Sequence, residues 1–162
     1  MTNRRQCLDR IRIATVSDPH PGLWVDKYLL DNESGSKQQL VAEASDRAAP
    51  EAYSKFYDRW ESALAGNRLI VTRKAKVQGR LSIGLGGEAV IETAITLHRT
   101  YGVPYIPGSA LKGLAANYAR NRLLEQDWGD KSGAYRTMFG YTESAGYVTF
   151  FDALYVPGSG PR

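Results

Sequence analysis

The heptapeptide Pro107-Gly108-Ser109-Ala110-Leu111-Lys112-Gly113 places a glycine, a hydroxyl and a lysine where a helix is expected to begin. Free backbone amides and the positive end of the helix dipole favour an anion at such a place, and Ser109 is a suitable N-cap. A nucleotide-phosphate loop is a poor fit. Its spacing is longer, and its lysine is followed by Ser or Thr to hold magnesium, whereas Lys112 is followed by Gly113. On the residues alone, a phosphate-holding helix end and an ordinary capped helix with a solvated lysine stand level.

A second feature is the basic run Arg68, Arg73, Lys74, Lys76 and Arg80, which meets no acid before Glu88. Along a strand, side chains alternate between faces, so Lys74, Lys76 and Arg80 share a parity and are expected to project together toward a phosphate backbone. The competing reading is the solvated outer face of a sheet. Gly84 and Gly86, with Ala89, match a permissive dinucleotide-binding fingerprint. The context excludes it, because the residues after Ala89 are strand-like and no acid between Glu92 and Glu125 is available for ribose hydroxyls.

Acid-base candidates are few. His98 stands in Leu97-His98-Arg99-Thr100-Tyr101 and His20 in a Pro-rich loop, and two histidines with one cysteine give no metal-ligand spacing. A lone histidine is more often structural than a general base. No metal and no cofactor are expected. Cys7 cannot form an intramolecular disulfide and reads as inert packing.

The elements that position these residues belong to an ordinary globular chain. The 162 residues suit one core, with 43% hydrophobic and 23% charged residues. Lys+Arg 21 against Asp+Glu 17 gives a net charge of +4, which tilts the partner class toward polyanions. No apolar run approaches the roughly 18 residues of a membrane span, and no signal-peptide pattern opens the chain, so the expected compartment is the cytoplasm, with no membrane partner.

Residues 1 to about 49 read as irregular, with a turn at Asp18-Pro19-His20-Pro21-Gly22, a polar loop at Asn32-Glu33-Ser34-Gly35-Ser36, and apolar patches at Leu23-Trp24-Val25 and Tyr28-Leu29-Leu30. Pro50 suits the first position of a helix. Tyr53, Phe56, Tyr57, Trp60 and Leu64 then recur at helical spacing as a core face until Gly66-Asn67. Strands are expected over Leu69 to Ile83, Ala89 to Leu97 and Gly146 to Leu154. A loop from Tyr101 to Gly108 leads into the helix after Ser109, whose inner face is expected to be Leu111, Leu114, Ala115, Tyr118 and Ala119.

Three runs together resemble the signature of the RAMP superfamily: Gly84-Leu85-Gly86-Gly87-Glu88, Glu92 to His98, and Tyr101 to Leu114. Phe139-Gly140 and Gly146 to Ala153 resemble the next landmark in the same order. The details Thr96-Leu97-His98 and Tyr101-Gly102-Val103-Pro104-Tyr105 are most similar to the subunit-six family of the type III-B CRISPR Cmr complex. The resemblance covers roughly residues 68 to 156. It implies an α+β fold: a ferredoxin-like (RRM-type) antiparallel sheet with helices on one face, incomplete at the C-terminus. The expected organisation is an irregular and helical segment over 1–67 followed by a RAMP ferredoxin-like domain over 68–162.

The function it implies is a non-catalytic subunit that binds guide RNA (crRNA) and assembles with other Cmr-type RAMP subunits in antiviral defence, with target RNA as a further candidate partner. The implied RNA-binding residues are Gly84, Gly86, Ser109 and Lys112, beside the basic Lys74, Lys76 and Arg80. The alternative is a RAMP-type endoribonuclease using His98 or Glu92. Glu92 falls where the target-cleaving paralogue carries its aspartate, fifteen residues before the proline of the Pro-Gly-Ser motif.

Overall fold

A computed structural model describes residues 6–8, 10–12, 15–17, 20–87, 89–91, 96–123, 128–129 and 131–159. The chain forms two compact units, one of Met1–Pro104 with Tyr155–Arg162 and one of Tyr105–Leu154. The class is α+β: helices with small antiparallel ladders.

In the first unit, a 3-10 turn Gln6–Leu8 precedes helices α1 (Pro21–Lys27), α2 (Ser34–Ser45) and α3 (Glu51–Ala65). The first two helices correct the expectation of irregular chain before residue 50. α1 is only seven residues long, too short to display a period, and α2 buries Leu40 alone along its length. What orders them is their mutual packing. Trp24, Leu29 and Leu40 form a buried cluster, with Ile11, Tyr28, Ala44 and Ile91 packed around it. The Trp24 ring lies on that of Tyr28 at 3.9 Å, and its Nε1 donates to Glu43 Oε2 at 3.2 Å. The apolar patches around Trp24 and Leu29 therefore close on a neighbouring helix of the same unit. The polar stretch from Ser34 to Ser36 is the first turn of α2 rather than loop.

α3 follows the aromatic stripe as expected. Tyr53 and Tyr57 are buried, while Phe56, Trp60 and Leu64 are half-buried. Pro50 is the N-cap, one position outside the helix, with φ −60° and ψ 147°. Phe56 stacks on Tyr101 at 5.2 Å, and Tyr53 meets the same ring edge-on at 5.5 Å, so the stripe is a packing face. Beyond α3 the expected first strand is not a paired one. Every residue from 71 to 82 is exposed, and the only ladders among the described residues lie elsewhere. Its β-branched side chains favour a pleated, half-buried surface, and no strand among the described residues of this unit pairs with it. Of the expected second strand Ala89 to Leu97, residues 92–95 lie outside the described residues, and Val90 and Ile91 lie in a turn. Its end, Leu97, makes an isolated antiparallel bridge with Pro104.

The second unit is closed by an antiparallel pair of β1 (Tyr105–Ile106) and β4 (Ala153–Leu154), in register Tyr105↔Leu154 and Ile106↔Ala153. Between them come α4 (Gly108–Arg122), α5 (Gly133–Phe139) and a hairpin of β2 (Gly140–Tyr141) with β3 (Ser144–Ala145). α5 is capped by Ser132, whose Oγ accepts from the Tyr135 N–H at 3.2 Å. Ala119, Tyr135 and Phe139 form the buried centre, joined by Ala115, Ala116 and Phe150. The inner face of α4 is thus Ala115, Ala116 and Ala119. Leu114 and Tyr118, expected on that face, are 69% and 58% exposed. Small side chains let the bulky rings of α5 approach closely, which is why the alanines win the contact.

Candidate nucleic-acid interface

In the second unit the heptapeptide does open a helix, two residues earlier than expected. The N-cap is Pro107, at φ −56° and ψ 139°, and no side chain of its own caps the helix. Ser109 is therefore not the N-cap. It occupies the first turn, exposed, with Lys112 half-buried further along the same helix. Gly108 is buried because the helix start presses on the chain before β4. A Cβ at Gly108 would collide with the carbonyl oxygen of Phe150.

The amides of this first turn are largely engaged. The Gly108 N–H donates to Asp152 Oδ1 at 2.7 Å, while the Ala110 and Leu111 N–H groups donate to the Pro107 carbonyl at 2.9 and 3.1 Å. Ser109 contributes the first-turn amide that neither Asp152 nor Pro107 engages. A carboxylate at this end offsets part of the helix's positive partial charge. Lys112 adds a full charge near a helix end whose amides are already mostly engaged. Sequence reasoning missed Asp152, because the cap comes from 44 positions along the chain and becomes evident only once Ile106 is paired with Ala153.

The first unit holds the remaining candidates. Gly84 adopts φ +78°, where only glycine is at ease, and its carbonyl accepts from the Gly87 N–H at 3.0 Å, closing a tight turn. A Cβ there would also meet Thr96 Oγ1 at 2.7 Å, and that hydroxyl donates to the Ile83 carbonyl at 3.0 Å. Gly86 is exposed, with open space around its Cα. Lys74, Lys76 and Arg80 are all exposed. Lys74 is paired with Glu61 at 3.0 Å, a partner from α3 that the basic run gave no sign of. Its hydrogen bond to Glu61, reinforced by that carboxylate's charge, holds the ammonium pKa above its ordinary value. Gly79, between Lys76 and Arg80, has φ +81°. A left-handed glycine interrupts strand alternation as a bulge does, so shared parity does not place Arg80 on the face of Lys74 and Lys76.

Of the two acid-base candidates, His98 is described and Glu92 lies outside the described residues. His98 Nδ1 accepts from the Thr100 N–H at 3.2 Å, and its ring packs 4.9 Å from Tyr101 and 6.1 Å from Phe56. Its backbone closes the same turn: the His98 N–H donates to Val103 and its carbonyl accepts from Gly102, each at 2.7 Å. Among the described residues no group of His, Cys, Asp or Glu is arranged to hold a metal ion, and no helix is long and apolar enough to cross a membrane.

Comparison with known proteins bears on these same residues. The model of the RAMP superfamily matches residues 74–161, a span that contains all seven RNA-binding candidates. A CRISPR system Cmr subunit Cmr6 from Pyrococcus furiosus is 53% identical over 77 residues, covering 48% of this chain and 22% of that protein. A CRISPR system CMR subunit Cmr6 from Saccharolobus solfataricus is 29% identical over 107 residues, 64% of this chain and 35% of that protein. The matches thus span between a fifth and about a third of the relatives' own length.

Proposed function

The chain belongs to the RAMP superfamily, and from that premise we propose that it is a non-catalytic, guide-RNA (crRNA) binding and assembly subunit of a type III-B CRISPR effector complex. The observation that carries this reading is the 53% identity to a Cmr6 subunit, together with a family match that encloses both the glycine turn and the start of α4. Its partners are the other Cmr-type RAMP subunits and the guide, with target RNA lying on the guide, in the cytoplasm of a cell defending itself against viruses. The full protein's fold is proposed as a ferredoxin-like, RRM-type sheet, to which residues 68–162 contribute.

Physical chemistry supports backbone rather than base recognition. Lys112, Lys76 and Arg80 supply point or forked charges, and Ser109, Gly84 and Gly86 allow close approach of a polyanion without presenting a base-reading edge. Guide RNA must be held whatever its sequence, so phosphate contacts positioned by fixed backbone suit the task. Lys74 joins this set with its charge partly offset by Glu61. The non-catalytic role is supported by His98, whose Nδ1 and ring are committed to a turn and an aromatic cluster.

The test is binding and cleavage of labelled single-stranded RNA by the purified chain. Binding is expected to be tight at low salt, indifferent to base sequence, and without cleavage. A folded protein that binds no RNA and carries none through purification would sink the RNA reading. RNA cleavage abolished by both Glu92→Ala and His98→Ala would replace the scaffold with the endoribonuclease.

A further inference from the structure

Two tyrosines stand in the open around the hairpin that follows α5. Each comes directly after a glycine, in Gly140-Tyr141 and Gly146-Tyr147. The two glycines press on one another. A Cβ at Gly140 would lie 2.5 Å from the Gly146 nitrogen, and one at Gly146 would lie 2.7 Å from the Gly140 nitrogen. Gly140 also takes φ +79°, where a side chain is strained. This backbone contact brings Tyr141 and Tyr147 to neighbouring positions. The Tyr147 N–H is tied down as well, donating to the Thr137 carbonyl at 2.8 Å.

The backbone is fixed and the rings are bare: Tyr147 is 87% and Tyr141 51% exposed. Aromatic rings usually supply core burial, and this unit places Tyr135, Phe139 and Phe150 in its core while leaving these two outside. The group that meets them is a cation. The guanidinium carbon of Arg136 lies 5.1 Å from the centroid of the Tyr141 ring. Among the described residues no carboxylate pairs with Arg136, and Glu143, the one acid of the hairpin, sits in its loop.

We propose that Tyr147, together with Tyr141 and Arg136, is a stacking site for an unpaired base of single-stranded RNA, with Arg136 taking an adjoining phosphate. An aromatic face accepts every base, and a cation beside it holds the backbone, so the pair suits a strand gripped whatever its sequence. Charge selects this occupant, since the cation beside the rings fits a polyanion that carries planar groups. The proposal deepens the RNA-binding reading and rests on it, but it concerns the bases, where Lys112 concerns phosphate.

The experiment uses the full chain with two labelled probes, a single-stranded RNA and an abasic strand of the same length and sugar-phosphate backbone. Wild type is expected to bind the base-bearing strand at least about fivefold more tightly than the abasic one. Tyr147→Ala should bind the two alike and melt as wild type does, because the ring is exposed. Tyr147→Phe should keep the preference, whereas Tyr147→Leu, with apolar bulk but no aromatic face, should lose it. Arg136→Gln should weaken binding of both strands and make its salt dependence shallower.

Equal binding of the two strands by wild type, or a preference that survives in Tyr147→Ala or Tyr147→Leu, overturns the stacking site and leaves the RNA-binding reading standing. Wild type that binds neither strand overturns both.

Discussion

The hydroxyl of Tyr53 donates to the backbone carbonyl of Tyr155 at 2.5 Å, joining α3 to a segment 102 residues further along the chain within the first unit. Tyr53 has no exposed surface, and its ring sits among Phe56, Tyr57 and Tyr101. Burial, reinforced by the neighbouring phenols Tyr57 and Tyr155, pushes its phenol pKa up from 10.0 to about 12. Tyr53→Phe keeps the ring and removes the bond, and should lower stability by about 0.5–1.5 kcal/mol in chemical denaturation. The phenol also sets an alkaline limit. The unfolded chain ionises near 10.0 and the folded one only near 12, so this contribution is intact below pH 10.0 and is lost as pH rises through that interval. Denaturation at stepped pH should show a steeper alkaline loss in wild type than in Tyr53→Phe, and parallel curves would mean that Tyr53 does not carry it.

Gly108→Ala tests how closely α4 approaches the chain before β4. The added methyl would have to displace backbone, since its nearest neighbour is the Phe150 carbonyl oxygen. Overpacking against a fixed neighbour costs about 1–3 kcal/mol. Thermal melting should fall accordingly, whereas Gly113→Ala, where a Cβ meets nothing within 4 Å, should melt no lower than wild type. Equal melting of Gly108→Ala and wild type would show that the two segments are not packed as described.

Lys112→Ala reads the phosphate contact directly. Each phosphate neutralised on a single strand contributes roughly −0.7 to the slope of log affinity against log salt. The variant should bind RNA with a slope shallower by about 0.7 and with the ranking of RNA sequences unchanged. An unchanged slope in folded protein removes Lys112 from the interface, and a changed ranking makes it a reader of bases.

The segment after α3 should make the isolated chain self-associate. Leu69, Val71 and Leu81 are 94%, 77% and 53% exposed, on a stretch of strand-forming sequence outside the ladders of the described residues. An exposed apolar strand without neighbours is a template for intermolecular pairing. Light scattering should report oligomers that diminish with a Val71→Lys substitution. A monodisperse wild-type monomer across the same concentrations contradicts this.

How much of the fold and of the site was legible in the sequence depends on whether the determining contact is local. The stripe from Tyr53 to Leu64 announces α3, since five large apolar residues at helical spacing have one common face, and the helix expected after Ser109 is equally plain, though it starts two residues earlier. α2 is not, because Ser34–Ser45 carries little periodicity and is ordered by Trp24 and Glu43 meeting across α1 and α2. The basic run was legible as charge but not as geometry. Glu61 on Lys74 and the turn at Gly79 both act through positions that composition does not connect. Asp152 was the hardest to see, for a cap is ordinarily sought within a few residues of the helix it serves.

The register of β1 with β4 has a further consequence. Tyr105 and Leu154, the first and last residues of the second unit, are direct cross-strand partners. A segment whose two ends meet side by side behaves as a parenthesis in the chain. Residues can be gained or lost inside it, for instance at the Thr142-Glu143 turn of the hairpin, without altering the spacing between the points where the first unit is left and re-entered. Lengthening a closed loop costs little, about 0.6 kcal/mol per doubling. This unit is accordingly the natural place for length variation, and for the insertion of a reporter sequence.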